Sequence, residues 1–219
     1  MVTPGLYADA FDDVVIASAR LVMRRPGPAD VAALAELADD LAIAENTARI
    51  PHPYTTADAE TFIQDTMRPD APPVLLGFLA DKPHVLVGAA GLDGVGASGA
   101  GELGYWIGAP FRRRGYGTEM ARALVDLAFA GGASRLEASC RVTNEASRRV
   151  LQKCGFQWRG VGLVRSVGFG GAFPADRFLL DRGAWQSLRA WGGTRLECRT
   201  GDAAFTAEAA PAAAEERCP

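Results

Sequence analysis

Eight consecutive residues concentrate much of the chemistry of this chain: Arg112-Arg113-Arg114-Gly115-Tyr116-Gly117-Thr118-Glu119. They lie between a segment of strand character and one of helix character. Two glycines let the backbone turn tightly and approach a ligand, and a helix start beyond them offers unpaired N–H groups to an anion. Three arginines beside such donors make a phosphate site. Taken alone, the same residues also read as a glycine-bearing turn with solvated arginines. No G-x-x-x-x-G-K-[ST] occurs, and G-x-G-x-x-G would need glycine where Met120 stands. Both observations argue against a P-loop nucleotidase and a dinucleotide oxidoreductase.

A second run, Asn144-Glu145-Ala146-Ser147-Arg148-Arg149-Val150-Leu151-Gln152-Lys153-Cys154-Gly155-Phe156, also joins a strand to a helix and adds Arg148, Arg149 and Lys153. Taken singly, Asn144 reads as an N-cap and Ser147 as a solvated helix residue. Cys140 and Cys154 fall on apolar positions and read as core. His52, Tyr54 and the Phe169–Phe173 loop could line the mouth of an acceptor site, although His52 also reads as an exposed loop histidine.

The elements that must position these residues follow from periodicity. Residues 1–18 read as a lead-in, and Ala19–Arg25 as a first strand. Pro28 suits a helix start, with Val31, Leu34, Leu37 and Leu41 on one stripe. Pro51 and Pro53 forbid its continuation. Thr55 and Thr56 can cap a helix running to about Met67. Strands are expected at Val74–Leu79, His84–Leu92 and Gly101–Ile107, with a glycine-rich loop before the last. A helix over Gly115–Ala130 puts Met120, Leu124, Leu127 and Ala128 on one face. A strand at 135–142 leads to the Asn144 helix, with Ala146, Val150 and Leu151 inward. Strands near Gln157–Arg165 and Arg177–Asp181 and a short helix with Trp185 and Leu188 close the domain.

Composition bounds the rest. The 219 residues are 48% hydrophobic and 22% charged with a net charge of -3, an ordinary globular balance without the basic excess that nucleic acid or an anionic membrane would call for. Residues 193–219 carry five acids and three arginines, hence -2, and are dominated by alanine, glutamate and proline. They are expected to be a low-complexity, disordered tail, although alanine and glutamate would also support a helix around 203–217. The four cysteines have no C-x-x-C spacing and lie far in sequence from His52 and His84, so no metal site is expected. With no signal pattern and no apolar run long enough for a span, a cytoplasmic location with reduced thiols is expected. The oligomeric state, monomer or homodimer, is not written in the sequence.

Together the two runs resemble the GCN5-related N-acetyltransferase (GNAT) superfamily. Its coenzyme loop, [RQ]-x-x-G-x-[GA], is matched by Arg112, Gly115 and Gly117. Within it the chain is similar to the Rim-type ribosomal-protein N-acetyltransferases. Glu102-Leu103-Gly104-Tyr105-Trp106-Ile107 matches their E-x-G-Y-W-[IL] strand. Asn144, Ala146, Ser147, Val150, Lys153, Gly155 and Phe156 match their N-x-A-S-x-x-[VL]-x-x-K-x-G-F segment. Leu21 to Arg24 and Pro53-Tyr54-Thr55 agree as well, so the resemblance spans a domain of residues 19–188.

That resemblance implies an α/β (α+β) fold with a mixed central sheet, splayed between its fourth and fifth strands and flanked by helices. Acetyl-CoA, without a metal, would lie in the split. Its pantetheine would pair with the backbone of Tyr105, Trp106 and Ile107, and Asn144 would hydrogen-bond that arm. Its pyrophosphate would rest on the Arg113–Thr118 amides, with Arg112, Arg113, Arg114, Tyr116, Arg149 and Lys153 nearby. Glu102 would take the proton of the acceptor amine. A tyrosine that many members use as acid is replaced by Leu151, and Ser147 would serve the sulfur instead. The acceptor would be a primary amine, either a protein N-terminus or a small molecule such as an amino acid, polyamine or antibiotic. A coenzyme-binding sensor without catalysis is the reading from another class.

Overall fold

Leu21 and Met23 are fully buried while Val22 and Arg24 between them are partly exposed, and this alternation makes Leu21–Arg24 a strand. A computed structural model of the protein describes residues 14–68, 71–94, 99–168, 170–190, 197–200 and 203–206, the last two segments by backbone only. Its strands are β1 (Val14–Ala17), β2 (Leu21–Arg24), β3 (Val74–Leu79), β4 (Lys82–Asp93), β5 (Ala100–Ile107), β6 (Arg135–Arg141), β7 (Gln157–Ser166) and β8 (Gly171–Asp181). Helices α1 (Val31–Ala38), α2 (Leu41–Asn46), α3 (Thr56–Thr66), α4 (Tyr116–Ala130), α5 (Glu145–Lys153) and α6 (Arg182–Ala190) accompany them. The sheet runs β1-β2-β3-β4-β5-β6-β8-β7, and β5 and β6 are the parallel neighbours in an otherwise antiparallel order. This is the mixed sheet that the resemblance implies.

Two apolar layers cover the sheet. Met120, Leu124 and Ala128 of α4 are completely buried in the larger layer, with Leu136 and Ala138 of β6 beneath them. Each such large side chain contributes about 1.5–3 kcal/mol by leaving water. Gly131 stops α4 where the apolar stripe ends. The smaller layer, on the opposite face, joins Leu34 of α1 and Ile63 of α3 to Leu76 and Phe78 of β3. Thr55 caps α3 through a capping box with Asp58.

Several elements differ from the sequence reading. Val14–Ala17, within the expected lead-in, pairs with β2, because Val14 and Ile16 alternate into the core. The first helix breaks at Asp39 and Asp40. Asp40 turns out to be an N-cap, accepting from Ala42 N at 2.8 Å, and it starts α2 on a new axis that leaves Leu41 exposed. Ala146 is exposed in the first turn of α5. The segment expected to be a disordered tail contains strands β9 (Glu197–Thr200) and β10 (Ala203–Thr206), and β9 extends the sheet along the free edge of β1. Residues 193–196, 201–202 and 207–219 of the expected tail lie outside the described residues, as do residues 1–13 of the lead-in. No helix among the described residues is long and apolar enough to cross a membrane.

An ion pair between the half-exposed Arg24 and the buried Asp30 closes the β2 end. Arg24 donates to both oxygens of Asp30 at 2.8 and 2.7 Å, and Gly27 N donates to the same carboxylate at 2.8 Å. Burial alone would raise the Asp30 carboxyl. The Arg24 and Gly27 hydrogen bonds more than reverse this and hold it below its ordinary value. Such a depressed carboxyl stabilises the fold above the unfolded carboxyl range, and that contribution is lost as pH falls through the folded value. Asp30→Ala is expected to cost about 1.5–3 kcal/mol, a fall of about 3–12 °C in Tm at neutral pH. Thermal melts at neutral and acid pH check this, and the gap between wild type and variant should narrow on acidification.

Candidate active site

β5 and β6 pair over three positions only, Ala100↔Arg135, Gly101↔Leu136 and Glu102↔Glu137. Beyond Glu102 they diverge. Gly108 N donates to Val87 O and Leu92 N to Pro73 O, each at 2.9 Å. Antiparallel alternation then directs the backbone groups of Gly104 and Trp106 to β4, and those of Leu103, Tyr105 and Ile107 into the split. Tyr105 and Ile107 thus offer main-chain groups to a ligand. Trp106 spends its backbone on β4 and packs its ring on the smaller apolar layer.

The split joins the two faces of the sheet. Leu103, Tyr105 and Ile107 face the α4/α5 side, whereas Glu102, Gly104 and Trp106 face the α1/α3 side. Glu102 stands at the vertex of the split, exposed, level with Asp93 of β4 and Glu137 of β6. Arg49 pairs with Asp93 at 2.9 Å and Arg135 with Glu137 at 3.5 Å. Asp93 and Glu137 are thus already paired with arginines, and Glu102 is the exposed carboxylate between them.

The glycine loop leads from the end of β5 into α4. Gly115 is the left-handed N-cap at φ 86°, and its carbonyl accepts the first helical bonds, from Thr118 and Glu119. Arg113 also has a positive φ, 65°, which costs a residue with a Cβ free energy. Positive-φ backbone ahead of a helix N-terminus is the kind of geometry in which successive amides can form a nest for an anion. Arg113 and Arg114 are exposed around it, and Thr118 lies in the first turn of α4. A Cβ on Gly117 would lie 3.5 Å from Ile107, 3.7 Å from Val150 and 3.9 Å from Tyr105. The missing side chain therefore leaves space between β5 and α5, at the floor of the split.

Residues outside the motif hold the loop. Arg20 donates to Arg114 O at 2.8 Å, pairs with Glu119 at 2.6 Å and lies over the Tyr116 ring. Arg112, expected beside phosphate, donates instead to Ile107 O at 3.1 Å and to Asp40 at 2.6 Å, tying the end of β5 to the start of α2. Neither partner could be found from spacing, because Arg20 and Asp40 lie 99 and 72 residues from the groups they bind.

Asn144 caps α5, its Oδ1 accepting from Ser147 N at 3.0 Å. Ser147 Oγ lies 2.8 Å from the Tyr105 hydroxyl, which burial pushes well above its ordinary pKa. Arg149 is exposed and pairs with Glu145 at 3.1 Å, and Lys153 is exposed in the last turn. Leu151 is buried in the core. Of the residues expected at the acceptor mouth, His52 is exposed and lies 3.0 Å from Asp39. Tyr54 and Phe173 are buried by packing. Tyr54 sits in the smaller layer, where burial pushes its phenol up to about 12, and Phe173 lies under Arg141. Phe169 lies outside the described residues. Among the described residues no cluster of three metal-ligating side chains occurs.

Residues 20–157 match the family model described as an acetyltransferase (GNAT) domain. The chain belongs to the GNAT family of acetyltransferases. Among curated proteins none matches the sequence significantly. Solved structures share the fold of this acetyltransferase. RimJ of Mycobacterium smegmatis, in complex with CoA-disulfide, has 20% identity and a TM-score of 0.69, covering 87% of this chain and 98% of its own. A putative ribosomal-protein-serine acetyltransferase from Vibrio cholerae has 23% identity and a TM-score of 0.64, covering 76% and 97%. Spermidine N-acetyltransferase from Vibrio cholerae, in complex with CoA and spermine, has 16% identity and a TM-score of 0.66, covering 77% and 99%.

The geometry at Gly117 yields a direct check. Gly117→Asp places a carboxylate at the floor of the split and beside the glycine loop, while its Cβ meets neighbours at ordinary contact distances. The variant should fold with a near-normal Tm and lose retention on immobilised coenzyme A. Retention equal to wild type would show that the ligand does not enter past Gly117.

Proposed function

We propose that this acetyltransferase moves the acetyl group of acetyl-CoA to a primary amine by direct attack in a ternary complex, and that it belongs to the Rim-type group. The domain of residues 19–188 carries the reaction. The observation behind this reading is the gap in the sheet, with an anion nest on one face and the Glu102 carboxylate at its vertex on the other. The coenzyme enters from the α4/α5 side. Its pyrophosphate binds the amides of Arg113–Thr118 and its pantetheine binds the backbone of Tyr105 and Ile107, as an added strand would. The acetyl group reaches the vertex, and the acceptor approaches from the α1/α3 side.

An amine is protonated in water and must lose a proton to attack the carbonyl carbon. Glu102 draws the ammonium in and takes one proton directly or through water. The C–N bond forms, the nitrogen gives its second proton to water, the C–S bond breaks, and the sulfur leaves with the electron pair. Ser147, on the coenzyme side, stabilises that charge by hydrogen bonding. Glu102 is exposed on an open face, which suits the α-amine of a polypeptide N-terminus. Asn144 supports the coenzyme arm by fixing the first turn of α5. The buried free thiols of Cys140 and Cys154 suit a reducing cytoplasm.

The test is a thiol-release assay with acetyl-CoA and a panel of peptide N-termini and small amines. On the best acceptor, Glu102→Gln should lower turnover by about 10²–10⁴, with the loss shrinking as pH rises and free amine becomes abundant. A variant that keeps most of the wild-type rate across the profile would remove Glu102 as base. Coenzyme binding without thiol release on any acceptor of either class would favour a coenzyme sensor.

A further inference from the structure

Ser147 Oγ carries one proton and two acceptor positions. The Tyr105 hydroxyl lies 2.8 Å from it and also 3.2 Å from Ser147 O, which places the phenol against the first turn of α5. The two groups come from β5 and α5, one on each side of the split. Cys140 and Tyr105 both sit in or against the main apolar core, on the coenzyme side of the sheet.

We infer that Tyr105 is a positioning residue of the transfer reaction: its O–H donates to Ser147 Oγ and leaves the serine's own O–H free to donate to the coenzyme sulfur as the C–S bond breaks. The inference rests on reading the split as the acetyl-CoA site.

The phenol proton faces both Ser147 Oγ at 2.8 Å and Ser147 O at 3.2 Å. Burial pushes the Tyr105 phenol above its ordinary value, so it keeps that proton at neutral pH. A phenol that shares its proton with Oγ leaves the serine proton available to a ligand, whereas a serine that donated to Tyr105 would have none for the sulfur. Helix α5 supplies no phenol at Leu151, which is buried in the core; the phenol comes from β5 on the opposite wall.

The chemistry balances without net proton transfer through the network. The amine nitrogen bonds to the acetyl carbon and the C–S electron pair passes to sulfur. The amine proton leaves through Glu102 or water, and the thiolate takes its proton from water. Tyr105 stays neutral because burial opposes a phenolate. Ser147 keeps its proton and tightens its hydrogen bond to sulfur as charge develops.

The experiment titrates the thiol of coenzyme A bound to the wild type, Tyr105→Phe, Ser147→Ala and the double variant. Thiolate absorbance is the readout, with desulfo-coenzyme A as blank and calorimetry alongside. The bound thiol should titrate about one pH unit lower in the wild type than in each variant, corresponding to about a tenfold loss of turnover in Tyr105→Phe. KM for acetyl-CoA should change little, and the double variant should match Ser147→Ala. Coenzyme binding with the same titration in wild type and Tyr105→Phe would overturn the positioning role alone. So would a Tyr105→Phe loss that persists in full in the Ser147→Ala background. Failure of the wild type to bind coenzyme A would overturn the reading of the split, and this inference with it.

Discussion

Parallel pairing between β5 and β6 stops after Glu102↔Glu137, and the backbone groups of Leu103, Tyr105 and Ile107 then face a gap instead of a partner strand. Main-chain N–H and C=O groups demand hydrogen bonds, so an open sheet interior is kept only where water or a ligand meets the demand. The other edges of the two strands are anchored, β5 on β4 and β6 on β8, and cannot slide together to close the gap. Both helices that border the opening, α4 and α5, follow directly from the strands that form it. Their N-termini therefore converge on one region, and the catalytic candidates fall on its two sides.

The glycine loop before α4 illustrates how such a turn is stiffened from outside. Its positive φ values at Arg113 and Gly115 would relax in a free peptide. Arg20 grips the Arg114 carbonyl and the Glu119 carboxylate together, and Arg112 ties the end of β5 to Asp40, the residue that starts α2. One carboxylate thus caps a helix and anchors the loop. Of the three loop arginines, Arg113 and Arg114 remain exposed and Arg112 serves as a strut.

Local signals were legible in the sequence. The glycines of the loop, the Asn144 cap, the α4 stripe and the Glu102–Ile107 strand all appear where short-range rules put them. Long-range pairings were not. The Tyr105–Ser147 contact bridges 42 residues, and nothing in either residue's neighbourhood announces it. The last strand was expected only near Arg177–Asp181, after a Phe169–Phe173 loop, yet β8 already starts at Gly171. Pro174 is tolerated because its side chain stays exposed beside Leu163 of β7 and its carbonyl still accepts from Val142 N at 3.1 Å. The Asp39–Asp40 break was hidden because a cap residue in the middle of an apolar stripe looks like a polar helix position.

The central claim is that the coenzyme fills the gap from the α4/α5 side. Amide hydrogen exchange with and without coenzyme A tests it most directly. Protection is predicted at Tyr105 and Ile107, across 113–118 and in the first turn of α5, with exchange in α1 and α3 unchanged. Protection centred on α1 and α3, or spread evenly over the sheet with the 113–118 amides unaffected, would contradict it.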